Sequence, residues 1–110
     1  MTQETAEKIW RNLTNPNSRI KYSQEEENQA RIVIKQLIFD DFSEYIDAFN
    51  DESFIDIRSR KLLKNCVKYL ESKDDCIILL YNYLEENGIK LSYDAKIFLP
   101  DILKISFENK

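Results

Sequence analysis

The clearest pattern in the chain is a long run of apolar positions in steps of three and four. Val33, Ile34, Leu37, Ile38, Phe42, Tyr45, Ile46 and Phe49 hold one face for about five helical turns. The spacing predicts a helix over residues 24–49. Ser23 stands at its start, Glu25 to Glu27 load its first turn, and Ser23 with Glu26 matches a capping box. Asp40-Asp41 is the one place in this run that suggests a kink. A shorter helix over residues 3–13 carries Ile9, Trp10 and Leu13, with Thr2 as its cap. Asn15-Pro16-Asn17-Ser18 ends it.

Downstream, Asn50 to Ser53 reads as a polar turn, with Ser53 and Asp56 as a weak capping pair. A third helix presents Ile55, Leu62, Leu63, Cys66, Val67 and Leu70. Asp74 or Asp75 is placed to cap a fourth helix over Cys76–Asn87, apolar on nearly all sides at its start and so expected in the middle of a bundle. Asn87-Gly88 supplies a left-handed stop. Ser92 opens a fifth helix with Ile97, Phe98, Ile102, Leu103, Ile105 and Phe107. Pro100 predicts a kink there, or a restart with the proline in a first turn. The expected architecture is all-α: an antiparallel bundle of four to five helices, residues 1–110 forming a single domain. Its core is expected from Trp10, Leu37, Ile38, Ile46, Leu63, Val67, Ile77, Leu80, Leu84 and Leu103.

Composition supports that reading. One glycine and two prolines in 110 residues are too few for the turns of a β-sandwich or barrel. The apolar runs fall far short of the roughly 20 residues that cross a membrane. The polar, acidic start has no signal-peptide pattern, so a cytoplasmic location is expected. Cys66 and Cys76 read as reduced core residues.

Candidate chemistry is sparse. The chain has no histidine, which excludes Ser-His and Cys-His nucleophile pairs and histidine-containing zinc sites. No catalytic residue, cofactor site or metal site is read from the sequence, and the protein is expected not to be an enzyme. Neighbouring acids such as Asp40-Asp41 point about 100° apart on a helix and do not readily share a site.

The formal net charge is −4 and unevenly spread. Residues 25–56 hold ten acids and two bases, and residues 57–73 hold six bases and one acid. Asp40, Glu44 and Asp47, spaced by four and three, line one anionic stripe. Such faces are ordinarily just solvated. The sharper reading is that this one docks a basic protein partner. Nucleic-acid binding through Lys61, Lys64 and Lys68 is a weak alternative on an acidic chain.

Residues 80–84, Leu-Tyr-Asn-Tyr-Leu, end an apolar helix. A short link, Ile89-Lys90-Leu91-Ser92, and a helix with Leu99, Leu103 and Ile105 follow. This hairpin resembles the class IIa (pediocin-like) bacteriocin immunity proteins, cytosolic four-helix bundles of about this length. The resemblance implies a non-catalytic protein that recognises a bacteriocin-bound sugar permease from the cytosolic side. Its hairpin, with Tyr83, Lys90, Tyr93 and Lys96 as contact residues, would then help set specificity. The alternative is an acidic inhibitor, such as an antitoxin, a nuclease-toxin immunity protein or a phage-type inhibitor. Its helix-two carboxylates would bind a basic toxin.

Overall fold

The computed structural model describes residues 1–50 and 63–108, and the side chains of 1–47 and 63–108. The described residues form an all-α helical bundle with five helices: α1 (Gln3–Thr14), α2 (Gln24–Asn50), α3 (Lys64–Tyr69), α4 (Lys73–Glu86) and α5 (Tyr93–Glu108). The expected Asn50–Ser53 turn, the Ser53 and Asp56 cap and the start of helix three lie outside the described residues or side chains. The chain groups into two compact units, residues 1–37 and 38–110, and the boundary falls inside α2.

Local chemistry starts four of the helices. A helix leaves its first N–H groups without partners, and a hydroxyl at the cap satisfies one of them. Thr2 Oγ1 accepts from the Thr5 N–H at 3.2 Å, and Ser92 Oγ from the Ala95 N–H at 3.2 Å. At α2 the capping box closes in both directions. Glu26 N–H donates to Ser23 Oγ at 3.1 Å, and Ser23 N–H donates to Glu26 Oε1 at 3.2 Å. α4 differs from expectation. Ser72, not Asp74 or Asp75, is the cap, accepting from the Asp75 N–H at 3.1 Å. The helix therefore starts at Lys73, and both aspartates sit in its first turn, where the helix dipole favours them.

In the first unit, Ala6 and Ile9 of α1 and Ala30 and Ile34 of α2 are buried. The α1–α2 connection is tied by side chains. Asn12 Nδ2 donates to Tyr22 Oη at 2.9 Å, and Ser18 Oγ donates to Asn12 Oδ1 at 2.8 Å.

In the second unit the C-terminal half of α2 reaches each of the other three helices. Phe39 stacks on Tyr83 of α4 with ring centroids 4.2 Å apart. Tyr45 Oη donates to the Ala95 carbonyl of α5 at 2.9 Å. Asp41 Oδ2 accepts from the Asn65 N–H of α3 at 2.8 Å. α5 also packs on α3 and α4. The buried residues on α4 and α5 repeat every four: Cys76, Leu80 and Leu84 on one, Ala95, Leu99 and Leu103 on the other.

Three expectations are corrected. First, α4 is not enclosed on all sides: Ile78 is 60% exposed and Tyr81 41%, on the flank away from the Cys76–Leu80–Leu84 stripe. Secondly, Pro100 does not restart α5, which runs unbroken from Tyr93 to Glu108 with the proline inside it. Burial of Ala95, Leu99 and Leu103 on one stripe outweighs the lost backbone bond, since a buried leucine contributes about 1.5–3 kcal/mol. Thirdly, Trp10, Leu37, Ile46, Val67 and Ile77 are half-buried rather than central, whereas Ile38, Leu63, Leu80, Leu84 and Leu103 are core. Among the described residues, Phe42 and Tyr45 are the largest fully enclosed side chains.

Candidate functional site

Two surfaces carry the residues singled out by sequence. On α2, Asp40, Glu44 and Asp47 are all exposed. Their spacing stacks them along one flank, with neighbours about 5–6 Å apart. Asp41, the sequence neighbour of Asp40, is buried at 8% exposure. The two adjacent carboxylates thus part company, one to the surface and one to the core, as the 100° step between helical neighbours requires.

On the α4–α5 hairpin, α4 ends in a tight reversal. Ile89 N–H donates to the Leu84 carbonyl at 2.9 Å and Gly88 N–H to the Glu85 carbonyl at 3.3 Å. With Gly88 at φ +62°, this is a Schellman stop. Lys90 follows on the link, exposed, while Leu91 is buried. Tyr93 opens α5 and is 77% exposed. Lys96 and Ile97, one turn on, are also exposed, and Pro100 stands in the next turn. Spacings of three, four and seven place Tyr93, Lys96, Ile97 and Pro100 on one face.

Tyr83 does not share that exposure. It is half-buried, stacked on Phe39 and edge-on to Phe42 at 6.1 Å. Its ring serves the α2–α4 contact. The hairpin surface is therefore built from Lys90 and α5, with Ile97 added, a residue that sequence reading assigned to the apolar face of the helix.

The buried Asp41 makes a polar contact that the sequence alone did not reveal. Leu63 precedes α3 with φ +60°, a left-handed conformation rare for leucine, and gives that helix no side-chain cap. Asp41, reaching from α2, supplies the cap instead through the Asn65 N–H. One signal pointed to it. Position 41 is seven residues after Ile34 and three after Ile38, so it falls on the buried stripe of α2. Cys66 and Cys76 are both buried and free. Interaction with Cys76, then burial, then the charge of Asp41 push the Cys66 thiol well above the usual cysteine range. Burial, then the nearby Tyr81, likewise raises the Tyr45 phenol.

Lys64 and Lys68 of the basic helix-three stripe are exposed, and Lys68 lies 5.1 Å from the Tyr69 ring centroid. Lys61 is outside the described residues. Among the described residues, no group of three or more acidic or cysteine side chains is placed to hold a metal ion. No described helix is long and apolar enough to cross a membrane. Comparison with family models, with characterised proteins and with solved structures returned no match.

Proposed function

We propose that this chain is a non-catalytic cytoplasmic binding protein of the immunity type. In this reading it protects its cell by docking a bacteriocin-bound membrane permease through the α4–α5 hairpin. The observation that carries the reading is the Tyr93, Lys96 and Ile97 face of α5, presented beside the Gly88 reversal and Lys90. A tyrosine gives large contact area at small entropic cost, and such residues dominate binding energy when a partner encloses them. The resemblance of residues 80–105 to class IIa immunity proteins names the partner. The test is expression in strains sensitive to pediocin-like peptides. Wild type is expected to protect against at least one peptide, and Tyr93→Ala with Ile97→Asp to lose protection while keeping its helical spectrum. A wild type that protects against no member of a broad panel sinks the reading.

A second reading rests on a separate observation, the exposed stripe of Asp40, Glu44 and Asp47. In it the chain is an acidic inhibitor of a basic toxin. Reversing the three charges together would then abolish binding to that toxin, and wild-type affinity would fall as salt rises. Unchanged affinity of the reversed variant at low salt removes this alternative.

A further inference from the structure

Asn87 ends α4 as its C-cap, and Gly88 follows it at φ +62°. Both are exposed. Asparagine is a chemically labile side chain. What limits its reaction is how closely the next backbone nitrogen can approach the side-chain carbonyl carbon, and glycine has no Cβ to hold the two apart. Gly88 is the only glycine of the chain, so Asn87 is the only asparagine with that neighbour. The space around it is open as well, since a Cβ built on Gly88 meets no atom within 4 Å.

The folded state holds both reacting groups. Asn87 Nδ2 donates to the Tyr83 carbonyl at 2.8 Å, and Gly88 N–H donates to the Glu85 carbonyl at 3.3 Å. Ring closure needs both bonds to open. They lie at an exposed helix end, where local opening costs least.

We infer that Asn87-Gly88 is a modification site, where water-driven deamidation at the end of α4 loosens the hairpin reversal. When the last turn opens, the Gly88 nitrogen gives up its proton to hydroxide and attacks the Asn87 side-chain carbonyl carbon. A C–N bond forms, and the side-chain nitrogen leaves as ammonia, taking a proton from water. Water then adds to either carbonyl of the resulting succinimide and breaks that carbonyl's bond to the Gly88 nitrogen, which regains its proton. The balance is one water consumed and one ammonia released, with no change of oxidation state. The product is aspartate, or isoaspartate with the main chain running through the former side chain.

Either product serves the helix end worse than asparagine does. Its carboxylate has no N–H to give the Tyr83 carbonyl. It also puts negative charge where the helix dipole disfavours it, close in sequence to the exposed Glu85 and Glu86. Isoaspartate further lengthens the backbone between α4 and Gly88.

The test incubates the full chain, natively folded, at mildly alkaline pH and follows it by mass spectrometry, intact and after digestion. The expected product gains the mass of a hydroxyl in place of an amide NH2, with the change in the peptide that holds Asn87 and a rate that rises with pH. Conversion should run several-fold faster in urea, where both holding bonds are lost. Asn87→Gln, which keeps an amide but lengthens the side chain, should abolish the gain. Converted wild type and Asn87→Asp should both melt a few degrees below fresh wild type. Conversion confined to Asn17, exposed in the α1–α2 connection and followed by Ser18, overturns the inference. So does a folded protein that never converts while the chain in urea does. Equal rates with and without urea overturn the hold by the Tyr83 and Glu85 carbonyls. A converted protein with unchanged Tm overturns the loosening of the reversal.

Discussion

Asp41 of α2 caps α3 across 24 positions of sequence, its Oδ2 accepting from the Asn65 N–H at 2.8 Å. The helix it caps is six residues long and begins at a left-handed leucine, so local chemistry does little to hold it. A buried charge-assisted cap of this kind contributes about 1–3 kcal/mol. Asp41→Ala should destabilise the protein by that amount in chemical denaturation. Asp40→Ala, one residue away on the exposed flank, should change stability by under about 0.5 kcal/mol. Equal effects at the two positions would show that the cap carries no energy of its own.

Tyr45 leads to a pH dependence. Its phenol is fully enclosed and donates to the Ala95 carbonyl, so the folded state favours the protonated form and the folded pKa lies above the ordinary value of about 10. Above that pH the unfolded chain releases the proton and the folded chain keeps it. The unfolded state then binds fewer protons, so stability present below about pH 10 falls as pH rises further. Cys66 acts with the same sign from about pH 8.5 upward. Unfolding free energy measured by urea titration should therefore decline through the alkaline range. Tyr45→Phe, at a cost of about 0.5–1.5 kcal/mol at neutral pH, should flatten the part of that decline above about pH 10. An identical slope in the variant would assign the decline to other groups.

How much of this was legible beforehand follows from where each interaction lies in sequence. Thr2, the Ser23 and Glu26 box, the Gly88 stop and the Ser92 start were all readable, because each satisfies backbone groups within a few residues of itself. The Asp41 cap was not, since its partner lies 24 positions away on another helix. The expected alternative of a restart at Pro100 does not occur, because proline's local penalty is read from one residue, while the Ala95, Leu99 and Leu103 burial that overrides it needs α5's neighbours. Of the candidate surfaces, the Asp40, Glu44 and Asp47 stripe followed from period alone. Tyr83 could not be told from Tyr93 by sequence. Both are tyrosines in helical stretches, and only the Phe39 ring against one of them separates their fates.

Gly88 tests the hairpin reversal. It sits at φ +62°, and a Cβ placed on it would meet no atom within 4 Å. Any cost of Gly88→Ala is therefore backbone strain alone, about 1–2 kcal/mol for an L-residue held in the left-handed region. Gly88→Asn should cost less, because asparagine tolerates that region better. Thermal unfolding of the three proteins should rank glycine above asparagine above alanine. Alanine equal to glycine would mean that the link relaxes out of the Schellman geometry when substituted.

Pro100 offers the opposite sign. Within α5 it has no N–H to give, so the carbonyl of Lys96, four residues earlier, lacks its ordinary helical donor, and the ring crowds the preceding turn. In a helix interior that arrangement costs about 3 kcal/mol relative to alanine. Pro100→Ala restores the donor and relieves the crowding, but gives up part of the packing of a half-buried ring. Against these two effects, removal of proline also frees the unfolded chain, which works against the variant by up to about 1 kcal/mol. The difference leaves a net gain of roughly 1–2 kcal/mol. The urea midpoint should rise with the slope unchanged, since the same surface is exposed on unfolding. A midpoint that falls would mean that the Pro100 ring contributes more by packing than the Lys96 bond would restore. The proline would then be holding the shape of the Tyr93–Ile97 face rather than straining it.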